Sequence, residues 1–87
     1  MTYFNEKDFN YEEIDDSLIV LRTATQDVFL LNSTSKHIML GLLQQQNITH
    51  IIDEYCSNNP NINRNIIYKD FIDIKNTLFE KGILYER

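Results

Sequence analysis

Three short runs with strand character precede residue 32, one alternating hydrophobic and polar positions and two continuously apolar. Phe9 to Ile14 interleaves aromatic and polar side chains, Leu18 to Arg22 is a β-branched and aliphatic run, and Asp27 to Leu31 is another. Each has the length and composition of a strand. Asp15-Asp16-Ser17 joins the first two, with side chains suited to hydrogen-bonding nearby backbone amides, and Thr23-Ala24-Thr25-Gln26 joins the last two. Connections this short cannot form a parallel crossover, so the pattern predicts an antiparallel meander.

The period changes to 3.6 at Asn32 to Thr34, where several side chains can cap a helix. The first helix is expected to reach about Gln45 and to bury Ile38, Met39, Leu42 and Leu43. Thr49 is the expected cap of a second, short helix with Ile51, Ile52, Tyr55 and Cys56 on one face. That helix stops in Ser57-Asn58-Asn59-Pro60, since proline cannot continue it. Asn61 to Asn65 offers caps for a third helix, which should run to Lys81 and end at Gly82 in a left-handed conformation. Ile83-Leu84-Tyr85 follows as a short apolar tail with strand character. The fold class expected is α+β: a three-stranded antiparallel meander followed by three helices, a winged helix-turn-helix-like plan with the wing at the front.

The third helix carries more apolar surface than one core-facing stripe needs. Ile67, Phe71, Ile74 and Leu78 recur on one face. Tyr68, Ile72, Lys75 and Phe79 repeat the spacing one position later, which rotates them by about 100° around the axis. Both stripes can be core if the helix is wedged between sheet and helices. Alternatively, the second stripe is one wall of a groove whose other wall is the third strand. Asp27, Val28, Phe29, Leu30 and Leu31 contain no proline or lysine to block pairing. Being last in the meander, this strand is an edge unless Ile83 to Tyr85 covers it. An extended peptide could then add to the edge through its backbone and seat alternate side chains in apolar pockets. Asp27, Val28, Phe29, Leu30, Leu31, Tyr68, Ile72, Lys75 and Phe79 are the candidate peptide-binding residues. Lys75 would meet an acidic residue of the peptide or simply be solvated, and Phe79→Asp is expected to weaken binding.

Composition narrows the function further. A chain of 87 residues is one domain, 1–87, with 43% hydrophobic and 24% charged residues, an ordinary globular balance. No apolar run is long enough to cross a bilayer, and the first residues have neither the basic nor the apolar region of a secretion signal, which points to the cytoplasm and to no membrane partner. Cys56 is the single cysteine, so no internal disulfide can form. A formal charge of -5 and scattered Arg22, Arg64, Lys69, Lys75 and Lys81 argue against nucleic acid, whose binding needs clustered cations.

Catalytic chemistry finds little support. His37, His50 and Cys56 lack the short spacings of a metal site, and no nucleophile is paired with a base. The neighbouring acids Glu12-Glu13 and Asp15-Asp16 point apart rather than converging. Gly41 and Gly82 are too far apart for a phosphate cradle. No enzyme activity, metal or cofactor is expected.

Several of these segments resemble one family. Phe29, Leu31, Asn32, Thr34, Ile38 and Met39 look like the strand-to-helix signature of PqqD-like domains, the RiPP recognition elements. Ile48-Thr49-His50-Ile51-Ile52 is similar to the family's entry to its second helix. Asp70-Phe71 with Ile74, Leu78 and Gly82-Ile83-Leu84 is similar to its closing motif. The likeness spans about Phe9 to Tyr85, with two departures: Met39 stands where an aromatic is common, and Gly41 where an aliphatic is expected.

The resemblance implies a peptide carrier and not an enzyme. Such domains bind the leader of a ribosomally made precursor along the third strand and third helix, then present it to a modifying enzyme, often a radical SAM protein or a leader peptidase, as in lasso peptide and related natural-product biosynthesis. Two other functions compete. A winged-helix transcriptional regulator would need a basic recognition helix. A structural subunit would use the surplus stripe as a dimer seam, so the state expected is a monomer or weak homodimer.

Overall fold

The computed structural model describes residues 1–87. Its elements run β1 (Thr2–Phe4), β2 (Phe9–Ile14), β3 (Ser17–Arg22), β4 (Val28–Leu31), α1 (Ser33–Leu43), α2 (Ile48–Asn58), α3 (Arg64–Glu80) and β5 (Leu84–Glu86). The expected α+β plan is present: β2, β3 and β4 form an antiparallel meander in chain order, and three helices follow. The register pairs Phe9 with Arg22 through Ile14 with Ser17, and Leu18 with Leu31 through Leu21 with Val28. The β2–β3 hairpin turns at Asp15, whose φ of 51° is a left-handed conformation that aspartate tolerates. The strand expected from Asp27 begins one residue later, because Asp27 still belongs to the turn, its Oδ2 accepting from the Thr25 hydroxyl at 2.8 Å.

The sequence pattern missed one element. Thr2-Tyr3-Phe4 is too short to show a period, yet it pairs antiparallel with β5, matching Thr2 to Glu86, Tyr3 to Tyr85 and Phe4 to Leu84. The apolar tail is therefore half of a two-stranded ribbon that joins the chain ends. The Tyr3 and Tyr85 rings stack at 5.7 Å, and Gln45 fastens the ribbon to the end of α1 by accepting from the Thr2 amide and donating to the Thr2 carbonyl, both at 2.8 Å.

Asparagine caps all three helices. The side chain of Asn32 accepts from the Ser35 amide, Asn47 from His50 and Asn63 from Asn65. For α2 this corrects the expected cap: Thr49 lies inside the first turn, and Asn47 has the extended backbone that a capping residue needs. The C-terminus of α3 follows its expected form. Gly82 has φ 75°, its N–H donates to the Phe79 carbonyl, and the Ile83 N–H donates to the Leu78 carbonyl. These two bonds make a Schellman motif, closed by buried Leu78 and Ile83.

The core lies between the inner face of the meander and the helices. Phe9, Leu18 and Val20 supply it from the sheet, Ile38, Met39 and Leu42 from α1, Ile48, Ile51 and Ile52 from α2, Phe71 and Leu78 from α3, and Ile83 and Leu84 from the tail. Gly41 has a packing role in this core, since a Cβ there would stand 2.8 Å from Ile51 Cδ1 and 3.1 Å from Ile51 Cγ1. The glycine departure thus marks a close approach of α1 and α2. Alanine would regain up to about 1 kcal/mol of helix propensity against that crowding. Gly41→Val adds bulk without room and should cost about 1–3 kcal/mol in urea denaturation, and unchanged stability would show that the helices part freely.

Candidate functional site

β4 has a partner on one side only. The sheet order ends with it, and β5, the one segment able to cover it, pairs with β1 instead. The Arg22 N–H donates to the Asp27 carbonyl at 2.9 Å, which marks Arg22 and Asp27 as a hydrogen-bonded pair. Bonded pairs alternate along an antiparallel ladder, so Phe29 and Leu31 turn their backbone groups toward β3. Val28 and Leu30 therefore direct two N–H and two C=O groups to the free edge. Their side chains also face out, 62% and 69% exposed, whereas Phe29 and Leu31 are half-buried against the core. Among the candidate residues, Val28 and Leu30 thus present the backbone, and Phe29 and Leu31 form the floor beside the helix.

Two contacts show how α3 lies along this edge. At one end, the Lys81 ammonium sits over the Phe29 ring at 5.0 Å, and Arg22 Nη2 donates to the Lys81 carbonyl at 3.4 Å. At the other, Asn32 and Thr34, just beyond β4, share an open depression of about 420 Å³ with Tyr55 of α2 and with Ile67, Asp70, Phe71, Asp73 and Ile74 of α3. The C-terminal end of α3 thus lies at the start of β4 and its middle just past the end of β4, so the two run antiparallel.

Two sets of α3 residues line different depressions. Ile67 and Ile74, on the edge of the first stripe, line with Asp70 the depression shared with Asn32 and Thr34 just past β4. Tyr68, Ile72, Lys75 and Phe79 are turned from these by about 100° around the helix axis. Phe79 lines an open depression with Tyr3, Phe4, Leu84 and Tyr85 of the ribbon, and Lys75 lines another with Phe79 and Glu86. Tyr68 is exposed, and Ile72 is packed against the core. The structure brings Asp27 to Leu31 together with α3, but not with these four residues. Of the second stripe, only Phe79 and Lys75 line depressions with ribbon residues. Ile67, Asp70 and Ile74 were legible only as core or solvated helix positions.

No basic recognition surface is present for the DNA-binding alternative. In α3, Arg64, Lys69 and Lys75 are balanced by Asp70, Asp73 and Glu80, and Arg64 is bonded to Asp53. No cluster of three or more His, Cys, Asp or Glu is placed to hold a metal ion, and no helix is long and apolar enough to cross a membrane.

No family model matches the chain, and no curated protein matches it. Two solved structures share its architecture from end to end. TbiB1 in complex with the TbiA(beta) leader peptide is 22% identical, with a TM-score of 0.77 over 97% of this chain and 98% of that one. A lasso peptide synthetase B1 complexed with its leader peptide is 15% identical, with a TM-score of 0.80 over 98% of both chains. At these identities the likeness establishes a common fold.

Proposed function

We propose that this chain is a leader-peptide-binding adaptor of PqqD-like form, taking the leader of a ribosomally made precursor as an extra strand on β4. The observation that carries the reading is the free edge at Val28 and Leu30, with a depression lined by Ile67 and Ile74 just past its end. Backbone bonding to such an edge supplies affinity with little regard to sequence, and the wall supplies selection. Support comes from the two proteins of the same fold, each solved with a leader peptide bound.

In this reading the chain acts as a carrier and not as an enzyme. It works as a monomer or weak homodimer in the cytosol, where precursors are translated, and holds the leader so that the following segment reaches a leader peptidase or another modifying enzyme. Titration calorimetry of the full chain with a synthetic peptide matching the N-terminal half of the short reading frame beside its gene tests the proposal. Micromolar or tighter binding with a one-to-one ratio is expected, against none for a duplex of neighbouring DNA. Binding to the DNA alone would overturn the reading.

A further inference from the structure

The groove is apolar in the middle and oppositely charged at its two ends. Asp70 and Asp73 line the depression beside Asn32, while Lys81 and Arg22 stand at the Phe29 end. The chain's ion pairs are Lys36 with Glu13, His50 with Glu54 and Arg64 with Asp53, so Asp70, Asp73 and Lys81 have no charged partner of their own. Asp27, the acid at the start of β4, is turned back onto Thr25. An acidic pair without a countercharge thus lies past the Asn32 end of β4, and Lys81, its ammonium over the Phe29 ring, at the other end.

We propose that the leader segment accepted here is charge-polarised, with a basic and an acidic side chain four residues apart on the face toward α3 and an apolar side chain midway between them. The spacing follows from two estimates. Asp73 and Lys81 are separated along α3 by about 12 Å at 1.5 Å per residue, and Asp70 and Lys81 by about 17 Å. Phe29 to Asn32 spans about 10 Å at 3.3 Å per residue. An extended peptide covers this range in three to five residues, roughly, and only an even step keeps both side chains on one face, which selects four.

Antiparallel pairing is the more stable ladder, and it places the N-terminal side of the peptide beside Leu31 and Asn32. The basic residue therefore comes first, against Asp70 and Asp73. The apolar residue meets Ile74, and the acidic one meets Lys81. This inference rests on the leader-binding reading and adds the chemical class of the peptide.

Two fluorescent nonapeptides of identical composition test it. One is centred on lysine-threonine-leucine-threonine-glutamate and the other on the reverse order, both with threonine-valine flanks. The basic-first peptide should bind about tenfold more tightly at low salt, because two attractive pairs replace two repulsive ones, and the preference should shrink at 0.5 M salt. The variant D70K/D73K/K81E should prefer the other peptide. Equal affinities with amide shifts at Val28 and Leu30, or a preference that survives the charge swap, would overturn the charge proposal and leave the groove standing. If neither peptide moves those amides at millimolar concentration, the groove itself fails as a strand-binding edge, and both proposals fall.

Discussion

Leu30→Pro should abolish leader binding, with at least about a hundredfold loss of affinity, while the domain stays folded. The Leu30 N–H points to the free edge and makes no bond to β3, so proline removes a group the isolated chain does not use internally. Edge positions whose N–H faces solvent are where sheets accept proline, and the cost in stability should be about 1 kcal/mol. An added strand, however, loses its donor and meets the ring where its own backbone must lie. A hundredfold loss corresponds to about 2.7 kcal/mol, which is the scale of two or three backbone bonds. Phe29→Pro is the contrasting variant. Its N–H faces β3 and its ring packs on Phe9 with centroids 6.4 Å apart, so that change should cost about 3 kcal/mol or more of folding stability. Calorimetry and urea denaturation of both variants separate the free edge from the bonded one. Normal binding by Leu30→Pro would show that the peptide docks elsewhere.

The second large effect distinguishes the two flanks of α3. Ile74→Asp should weaken leader binding about 10- to 100-fold, because it replaces apolar wall with a carboxylate next to Asp70 and Asp73 and forfeits about 1.5–3 kcal/mol of side-chain burial. Phe79→Ala should leave affinity within about twofold and instead lower stability by about 1–3 kcal/mol, since Phe79 supports the ribbon through Tyr3, Phe4 and Leu84. Fluorescence titration with the leader peptide, with circular dichroism to confirm folding, reads both. A loss of affinity confined to Phe79→Ala would return the site to the flank first expected from the sequence.

That contrast shows where sequence patterns stop being informative. The three meander strands, the switch of period at Asn32 and the Gly82 terminus were legible because each depends on neighbouring residues: alternation, a capping side chain, a left-handed glycine. The edge status of β4 was legible too, as the end of a meander with short turns. Which flank of α3 faces that edge was not. Ile67/Ile74 and Ile72/Phe79 have equal apolar character, and the pairing of Thr2-Tyr3-Phe4 with Leu84-Tyr85-Glu86, which sets ribbon residues beside Phe79, joins chain ends that no local period announces. Gly41 is similar. Its helix-weakening side was readable, but the packing reason lies in Ile51 on the next helix.

Amide hydrogen exchange at Val28 and Leu30, measured with and without the leader peptide, addresses the added strand most directly. In the free chain both amides should exchange at rates close to those of exposed backbone, and saturation with peptide should slow them by about a hundredfold or more while Phe29 and Leu31, already bonded to β3, change little. Protection of Val28 and Leu30 in the free chain, or unchanged exchange in a chain shown by calorimetry to be saturated, would contradict strand addition at β4.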